Sequence, residues 1–338
     1  MISSSNFYSK LTIFAGTCIV FKKTVELNLG GAVMGHSHDH RFIEEEFREL
    51  FALADQARDC VDRLLETFNE RETKLFDLSA ARRIFLFILT RSIKTYSSIV
   101  VLCRRGYGQD VATLLRGLLE NLVTAEYILH DPKHANNLAA RFVAYKWIIF
   151  KRALPEQEKM IKEAPEERQR EFDRRKAVVM EHVDDFKKKF KVTSDRALIT
   201  WSGKTVRDMA KHVSAELVAE YDETFRQCSK FSHPSILGDQ EYMVRDSKNL
   251  IFSPQPSEIG VAVNLKQAIK YFLEFADLVN EQFDLNSKAF IDRLRQQWCG
   301  FQGNSLKSSD GLASVQSKEA IPIRDCTVVF KTNGKDRS

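Results

Sequence analysis

The motif Arg226-x6-His233 is the pattern in this sequence that could most directly do chemistry. An imidazole can move a proton to or from a ribose hydroxyl, and a guanidinium can hold a phosphate through paired hydrogen bonds. Together the two groups suffice to cleave a phosphodiester by transesterification without a metal. At about 100° per residue, Ser229 shares a helix face with both residues, and Pro234 places His233 at the end of that helix. Arg226 and His233 are therefore the candidate catalytic residues.

A purely structural interpretation of the same motif stays open. Arg226 could pair with Asp222, four residues earlier on the helix. His233 could cap the helix end without a catalytic role. An arginine and a histidine at this spacing also arise often by chance, so the motif alone does not establish a site.

A second constellation, Arg116 and Glu120, lies on a predicted helix rich in leucine. Helical spacing puts Tyr127 on the same polar stripe, and the leucines lie on the opposite face. The arginine precedes the glutamate, which is the less favourable order for a pair that stabilises its own helix. The stripe is either a solvated face with an ordinary ion pair or a charged surface facing a cleft between helices. In the second case Arg116, Glu120, Tyr127 and Ser229 support the catalytic site or bind substrate.

The sequence carries no motif for a tightly bound metal or cofactor. His36, His38 and His40 would make at best a weak, exchangeable metal site, because metal sites need a fixed geometry and supporting hydrogen bonds. A Gly-rich phosphate loop, a Gly-x-Ser-x-Gly elbow and a His-Glu-x-x-His motif are all missing from the sequence. The six cysteines show neither zinc spacing nor a compact disulfide pattern, which indicates free thiols in a reducing cytoplasm. We expect no metal and no cofactor.

The composition favours long helices over many short strands. Gly and Pro are scarce, at 14 and 7 of 338 residues, so few turns are encoded. Apolar residues recur at helical spacing along most of the chain. We predict an all-α, multi-helix bundle whose helices cover residues 42–68, 80–104, 109–130, 134–154, 165–191, 205–212, 215–232, 261–283 and 286–298.

The predicted helix at 165–191 is strongly charged and carries one stripe of Phe and Val. Such a stripe needs a partner, either the bundle or a second subunit. Residues 41–300 form a single predicted α-helical domain. Residues 1–40 are predicted to be a dispensable extension, because Met34 offers a second start, and residues 301–338 to be a disordered-like tail.

Neither of the two apolar runs predicts a membrane span. The run at 11–21 is too short to cross a bilayer, which needs about 20 residues. The run at 84–89 is shorter still and is predicted to be a buried helix face. We therefore expect no contact with a membrane.

Three blocks of the sequence resemble a broad bacterial all-α family that is known only as a domain of unknown function. In that family a helix with an Arg…Glu pair comes first and a Ser…His helix end comes last. The blocks are Gly106-Tyr107 with Leu115 to Glu120, then Trp201 to Ala210, then Tyr221, Phe225 to Ser229 and Ser232-His233-Pro234. The resemblance covers roughly residues 45–285 and implies an all-α fold.

The last block is also similar to the Arg-x4-6-His pattern of HEPN ribonucleases. Those ribonucleases are helical bundles that cut RNA without a metal, usually at a dimer interface, and many act as toxins or phage-defence effectors. The resemblance implies a cytoplasmic endoribonuclease in which His233 is the acid/base, Arg226 binds the scissile phosphate, and Arg116 with Glu120 supports the site. RNA and a second copy of the chain are the implied partners. The sequence leaves one alternative open, a non-catalytic helical interaction or regulatory protein, and identifies no partner protein.

Overall fold

The computed structural model of the chain describes residues 41–71, 77–194, 198–232, 243–246, 249–252, 256–312 and 327–330. Helices dominate these residues, and the predicted all-α, multi-helix fold is confirmed. The helices are α1 (Arg41–Glu46), α2 (Arg48–Glu70), α3 (Ala80–Arg104), α4 (Ala112–Leu129), α5 (Pro132–Ala144), α6 (Lys146–Ile161), α7 (Glu166–Lys189), α8 (Val206–Val213), α9 (Ala215–Ser232), α10 (Val261–Phe283) and α11 (Lys288–Leu312). Short strands accompany them, namely β1 (Met243–Asp246), β2 (Asn249–Phe252) and β3 (Thr327–Phe330).

The main core lies between α2, α3, α4 and α10, whose apolar faces are buried against one another. Tyr96 of α3 stacks on Phe272 of α10, with 4.0 Å between ring centroids. Its hydroxyl donates to the Ala54 carbonyl of α2 over 2.9 Å, which satisfies a polar group that burial would otherwise leave without an acceptor. Three helices thus meet at one tyrosine. Helix α4 contacts both α3 and α10, so the core holds in place the helix that carries Arg116 and Glu120.

Helix α3 is the one described helix whose length and composition would suffice to cross a membrane. Of the run 84–89, which the sequence predicts to be a buried helix face, Phe85, Ile88 and Leu89 are buried in the main core, whereas Phe87 is exposed. The core helix of a soluble protein meets the same test as a membrane span, so α3 is only weak evidence for a membrane segment.

The predicted helix at 134–154 is in fact two helices, α5 and α6, which meet at Tyr145. Asp131 caps α5 by accepting a hydrogen bond from the Lys133 amide over 2.9 Å. The Tyr145 hydroxyl lies 2.9 Å from the Leu198 carbonyl oxygen and 2.7 Å from the Ile199 carbonyl oxygen. The backbone stays helical at Tyr145, whose amide donates to the Arg141 carbonyl over 3.0 Å and whose carbonyl accepts from the Ile149 amide over 3.2 Å. Helix α6 then continues through Pro155 to Ile161.

The long charged helix predicted at 165–191 is confirmed as α7. Its apolar stripe packs on α6 of the same chain, so within the described residues the bundle's neighbouring helix covers it. We call α6 and α7 the arm. The buried residues of the arm, of Tyr145 before it and of the segment that follows it form a second, smaller core, which consists of Tyr145, Ile148, Leu154, Phe172, Val179, Val183, Phe186 and Leu198.

The connection between α3 and α4 packs directly on the first turn of α10. Gly106 has a φ of 77°, a left-handed conformation that favours glycine, and its carbonyl accepts from the Ser257 amide over 2.8 Å. A Cβ on Gly108 would lie 2.3 Å from the Val261 amide nitrogen. The Asn264 side chain donates to the Gly108 carbonyl over 2.7 Å. Helix α4 therefore starts at a place fixed by contact between two backbones.

The chain termini are described only in part. The predicted extension at 1–40 lies outside the described residues. Within the predicted tail, residues 301–312 continue α11, and Thr327–Phe330 pairs in parallel with Asn249–Phe252. The segment between α9 and α10, which no predicted helix covers, contains β1 and β2, which pair antiparallel with Met243 opposite Phe252. Short strands of this kind lack the long alternation that would reveal them in sequence.

Candidate functional site

Arg116 and Glu120 form an ion pair on α4 that faces α9. The Arg116 Nε lies 2.9 Å from the Glu120 Oε1, and the two side chains are 32% and 34% exposed. The Arg116 guanidinium carbon also lies 4.2 Å from the centroid of the Phe225 ring of α9, within the range of a cation–π contact. The pair is therefore half-buried between two helices. It thus packs against a neighbouring helix, and no contact of the described residues decides whether it also faces a cleft.

The face of α9 that meets this pair responds to its charges. Burial raises the pKa of the Tyr221 hydroxyl, and Glu120 raises it further while Arg116 lowers it. Burial also raises the pKa of the Cys228 thiol to about 11, although Arg116 lowers it through its charge and a backbone hydrogen bond. Both residues are thus close enough to the α4 pair to interact with it electrostatically.

Ser229, the residue after Cys228, has a buried hydroxyl. Its Oγ has no hydrogen-bond partner within the part of the chain that the structure describes. An unpaired buried hydroxyl typically costs about 1–3 kcal/mol, so such groups are rare and call for an explanation. Ser229 lies one turn before the end of α9, and a polar group that reached this position would find a ready hydrogen-bonding partner.

Arg226 lies on the solvent side of α9, away from the Arg116–Glu120 pair. Its Nη1 lies 2.7 Å from the Glu223 Oε2, and its side chain is 67% exposed. No ion pair of the described residues joins Arg226 to Asp222, which accepts two hydrogen bonds of 2.7 Å from Arg207 of α8. A bidentate contact of this kind is stronger than a single bond along the helix. Arg207 lowers the pKa of Asp222 most, and the charge of Arg226 adds to that effect. Among the described contacts, none joins Arg226 to Arg116 or Glu120.

His233 lies outside the described residues. It directly follows Ser232, the last residue of α9. The structure therefore gives the direction of the helix that leads to His233 but no position for its imidazole. The structure brings Arg116 and Glu120 together against α9, leaves Arg226 at the surface of the same helix, and buries the Ser229 hydroxyl.

Tyr127 belongs to a separate cluster near the C-terminal end of α4. Its ring centroid lies 5.8 Å from that of Trp201 and 5.4 Å from that of His212. The His212 ring lies 5.8 Å from the His130 ring, and the Lys204 Nζ lies 5.5 Å from the centre of the Tyr127 ring. We call these five residues the aromatic platform. Sequence reasoning placed Tyr127 beside Arg116 and missed the platform, although Trp201 and Lys204 fall in a block that resembles a known family.

Helix α9 is fixed on α10 by a buried polar network. The Tyr271 hydroxyl lies 2.5 Å from the Thr224 Oγ1 and donates to the Glu220 Oε1 over 3.0 Å. The Gln267 amide donates to the same hydroxyl over 2.8 Å, and Lys270 pairs with Glu220. Burial raises the pKa of Tyr271 far above its ordinary value, and Glu220 adds to the effect. The network sets the position of α9 relative to the core and hence to α4.

Glu126 is a further titratable group on α4 that sequence reasoning missed. Burial, followed by the charges of Glu274 and Glu281, raises its pKa to about 7. Its partner Glu274 also has a raised pKa, chiefly through burial, although Arg295 opposes that shift. The signal is absent from the local sequence because both glutamates acquire their environment only when α4 packs on α10.

The described residues contain no group of three or more His, Cys, Asp or Glu side chains arranged to hold a metal ion. His36, His38 and His40 lie outside the described residues. In the described site the polar groups available to a ligand are the guanidinium of Arg226 and the Arg116–Glu120 pair, whereas the Ser229 hydroxyl is buried. These groups can hold an anion and donate hydrogen bonds.

Comparison with known proteins places the three sequence blocks in one family. Residues 82–250, half of the chain, match DUF5677, a family of unknown function. This segment runs from α3 to β2 and contains all six candidate site residues. No curated protein and no solved structure matches the chain. The three sequence blocks therefore lie in one matched segment, and the chain belongs to the DUF5677 family.

Proposed function

We propose that this protein is a HEPN-like, metal-independent endoribonuclease that acts in the cytoplasm as a toxin or phage-defence effector. One observation carries the proposal. The half-buried Arg116–Glu120 pair packs on α9, the helix that bears Arg226 and Ser229 and leads directly to His233. Two blocks that are distant in sequence therefore place their charged groups on α4 and α9, two helices that pack on each other.

Arg226 is the arginine that can meet a phosphodiester. Its guanidinium is exposed and is held by a surface carboxylate, that of Glu223. An exposed pair of this kind typically contributes less than about 1 kcal/mol, so a phosphate can displace the carboxylate at low cost and gain two parallel hydrogen bonds. Arg116 is committed to Glu120 and Phe225. Its role is to position α9 relative to α4.

His233 supplies the acid/base chemistry in this proposal. Its imidazole takes the proton of a ribose 2′-hydroxyl, and the 2′-oxygen attacks the adjacent phosphorus. The bond from phosphorus to the 5′-oxygen breaks, the 5′-oxygen takes a proton from an imidazolium, and a 2′,3′-cyclic phosphate remains. A homodimer would bring two such histidines together, so that one accepts a proton while the other donates one.

A non-catalytic interaction or regulatory protein is the second candidate function. The observation that favours it is the arm, which is densely charged and bears exposed apolar side chains, among them Ile149, Met160 and Val178. A charged helical pair with exposed apolar residues is a surface on which a partner helix can pack. In this alternative Arg226 and His233 are ordinary surface residues.

Expression of wild type and variants in a bacterial host, with growth and total RNA followed, distinguishes the two functions. We expect wild type to slow growth and fragment RNA, and Arg226→Ala and His233→Ala to abolish both effects. Arg170→Ala is the matched control, because Arg170 is 69% exposed and pairs with Glu166 on its own helix, much as Arg226 does with Glu223. Purified protein should cleave RNA in EDTA and leave a 2′,3′-cyclic phosphate.

Two outcomes would overturn the ribonuclease. One is intact RNA after incubation with purified, dimeric wild type. The other is equal cleavage by wild type and His233→Ala, which would assign the activity to a contaminant or to another site.

A further inference from the structure

The aromatic platform has a buried side, formed by Tyr127 and Trp201, and an exposed edge, formed by His130 and His212. Tyr127 is 6% exposed, Trp201 is half-buried, and His130 and His212 are exposed. Phe142 also packs against Trp201, edge to face, with 5.2 Å between ring centroids. Packing in the core accounts for Tyr127 and Trp201, but it does not account for two histidines and a lysine gathered around their outer edge.

The segment that carries Trp201 and Lys204 is held rigidly by its own hydrogen bonds. The buried Ser202 hydroxyl lies 3.1 Å from the Lys204 amide, which donates to it, and 3.0 Å from the Lys204 carbonyl, which accepts from it. The Thr200 hydroxyl donates to the same carbonyl over 2.7 Å. Gly203 takes a φ of 75°, which favours glycine at this point of the turn. The backbone of Lys204 is therefore fixed, and these hydrogen bonds do not use its side-chain ammonium group.

The platform carries positive charge that no carboxylate of the described residues neutralises. Arg141 lies close enough to Tyr127 to lower the pKa of its hydroxyl, against the larger effect of burial. The Arg141 Nε is buried and has no hydrogen-bond partner among those residues. Within the part of the chain that the structure describes, neither Arg141 nor Lys204 forms an ion pair. Two cations that form no ion pair with any described carboxylate, beside aromatic rings, make a site suited to an anion that also has a flat ring.

We propose that the aromatic platform binds one nucleotide unit, with its base against Trp201 and His212 and its phosphate held by Lys204 and Arg141. Stacking on aromatic side chains together with contacts from basic groups is the usual way in which proteins hold unpaired nucleotides. Such stacking accepts any base, because every base has a π-face. The unit comes either from a free nucleotide or from a single-stranded RNA.

The position of the platform favours a single-stranded RNA over a free nucleotide as the ligand. Tyr127 lies seven residues, or two helical turns, beyond Glu120 on the same stripe of α4, which is roughly 10 Å along the axis. A strand cut beside α9 would therefore pass the platform within a few nucleotides of the scissile bond. This form of the inference rests on the proposed ribonuclease function, whereas binding of a nucleotide unit does not.

Binding of a labelled oligoribonucleotide tests the inference without any cleavage. The probe is a fluorescein-labelled single strand of ten nucleotides with 2′-fluoro groups, because without a 2′-hydroxyl the strand cannot be cut. Adenosine 5′-monophosphate is the second probe, added as a competitor. Fluorescence anisotropy is measured with full-length wild type, Lys204→Gln and His212→Ala. The loss of one stacking or phosphate contact should weaken binding about tenfold. The turn itself should remain intact, because neither substitution changes a side chain that its backbone needs.

Lys146→Gln is the matched control. Lys146 makes a similar contact, with its Nζ 4.9 Å from the Trp147 ring on the arm, but it lies outside the platform. This control should bind the strand as wild type does. Thermal melting of each variant excludes unfolding as the cause of any loss.

Each outcome decides the question. Weaker binding by the two platform variants alone supports the inference, and competition by the mononucleotide at equal affinity assigns the site to a free nucleotide. Equal affinity of all four proteins, or no binding of either probe to wild type, overturns it. The proposed function fails separately: a protein that binds the 2′-fluoro strand through Lys204 yet never cuts RNA keeps the platform and loses the ribonuclease.

Discussion

At the scale of single residues, the Arg116–Glu120 pair is the feature whose energy can be measured most directly. We expect Arg116→Ala to cost about 1–2 kcal/mol, because it removes a half-buried ion pair and a cation–π contact with Phe225 together. Glu120→Ala should cost less, and the double variant should cost less than the sum of the two. Urea denaturation of wild type and the three variants gives these values.

Arg175→Ala is a suitable comparison for that experiment, because Arg175 also pairs at four residues' separation but is 59% exposed on α7. Its cost should be near zero. If Arg116→Ala were equally harmless, the contact with α9 would contribute nothing and Arg116 would be an ordinary surface residue.

Glu126 should make the stability of the protein depend on pH. Burial raises its pKa to about 7 in the folded chain, while in the unfolded chain an ordinary glutamate titrates near 4.3. Between these values the folded state holds the proton and the unfolded state does not, so stability falls as pH rises and levels off above pH 7. Glu126→Gln should remove this part of the slope and raise the Tm at pH 8 by about 3–6 °C.

Thermal melting of wild type and Glu126→Gln between pH 4.5 and 8 measures the effect, with the exposed Glu167→Gln as control. The difference in Tm between wild type and Glu126→Gln should grow across this range. A difference that stays constant with pH would show that Glu126 titrates as it does in the unfolded chain.

The sequence was informative about residues whose partners lie on the same helix. The Arg116–Glu120 pair follows from helical spacing, and the structure contains it. Their contact with Phe225 could not be predicted, because it depends on how α4 and α9 pack. Arg226 forms no ion pair with Asp222 among the described residues for the same reason: Arg207 of α8 reaches Asp222 with both arms of its guanidinium.

At the scale of the helices, the spacing of apolar residues locates most helices but does not predict where one ends and the next begins. The pattern across 134–154 continues without interruption, yet α5 and α6 are separated at Tyr145, whose hydroxyl lies near carbonyls more than fifty residues away. That contact is tertiary, and the local sequence does not record it. Pro155 suggested an ending, but α6 passes through it.

The arm should unfold separately from the main core. Phe186 is 2% exposed in the small core of the arm, so Phe186→Asp buries a charge among apolar side chains and should cost at least about 3 kcal/mol there. Hydrogen exchange should quicken in α6 and α7 while α2, α3 and α10 remain protected.

Val178→Asp is the control for the arm, because Val178 lies on the same helix and is 46% exposed. It should leave exchange unchanged. Uniform loss of protection along the whole chain in Phe186→Asp would show that the two cores fold as one unit.

Two glycines of the α3–α4 region should respond to alanine in opposite directions. Gly108→Ala places a Cβ against the backbone of Val261 and should destabilise the fold strongly, because neither backbone can yield. Gly117 lies in α4, where an added Cβ would meet no described atom within 4 Å, so Gly117→Ala should stabilise by about 0.5–1 kcal/mol. Thermal melting distinguishes them, and equal effects would contradict the close contact between the turn and α10.

At the scale of the whole molecule, the family match and the folding unit differ in extent. The match ends at residue 250, but α10 supplies a large share of the main core, and α2 precedes the matched segment. We expect residues 82–250 expressed alone to retain helix without fixed tertiary packing, since Tyr96 loses both Phe272 and Ala54. Residues 41–312 should melt cooperatively. Cooperative melting of 82–250 at a similar temperature would show that α2 and α10 are dispensable.

The contact between Gly108 and Val261 has a mechanical consequence. Side chains that pack on one another can rotate to absorb a small displacement, but two backbones in direct contact have no such freedom. A displacement of the first turn of α10 should therefore displace the start of α4 by a similar amount. Because α4 carries both the Arg116–Glu120 pair and Tyr127, the pair and the aromatic platform should then move together.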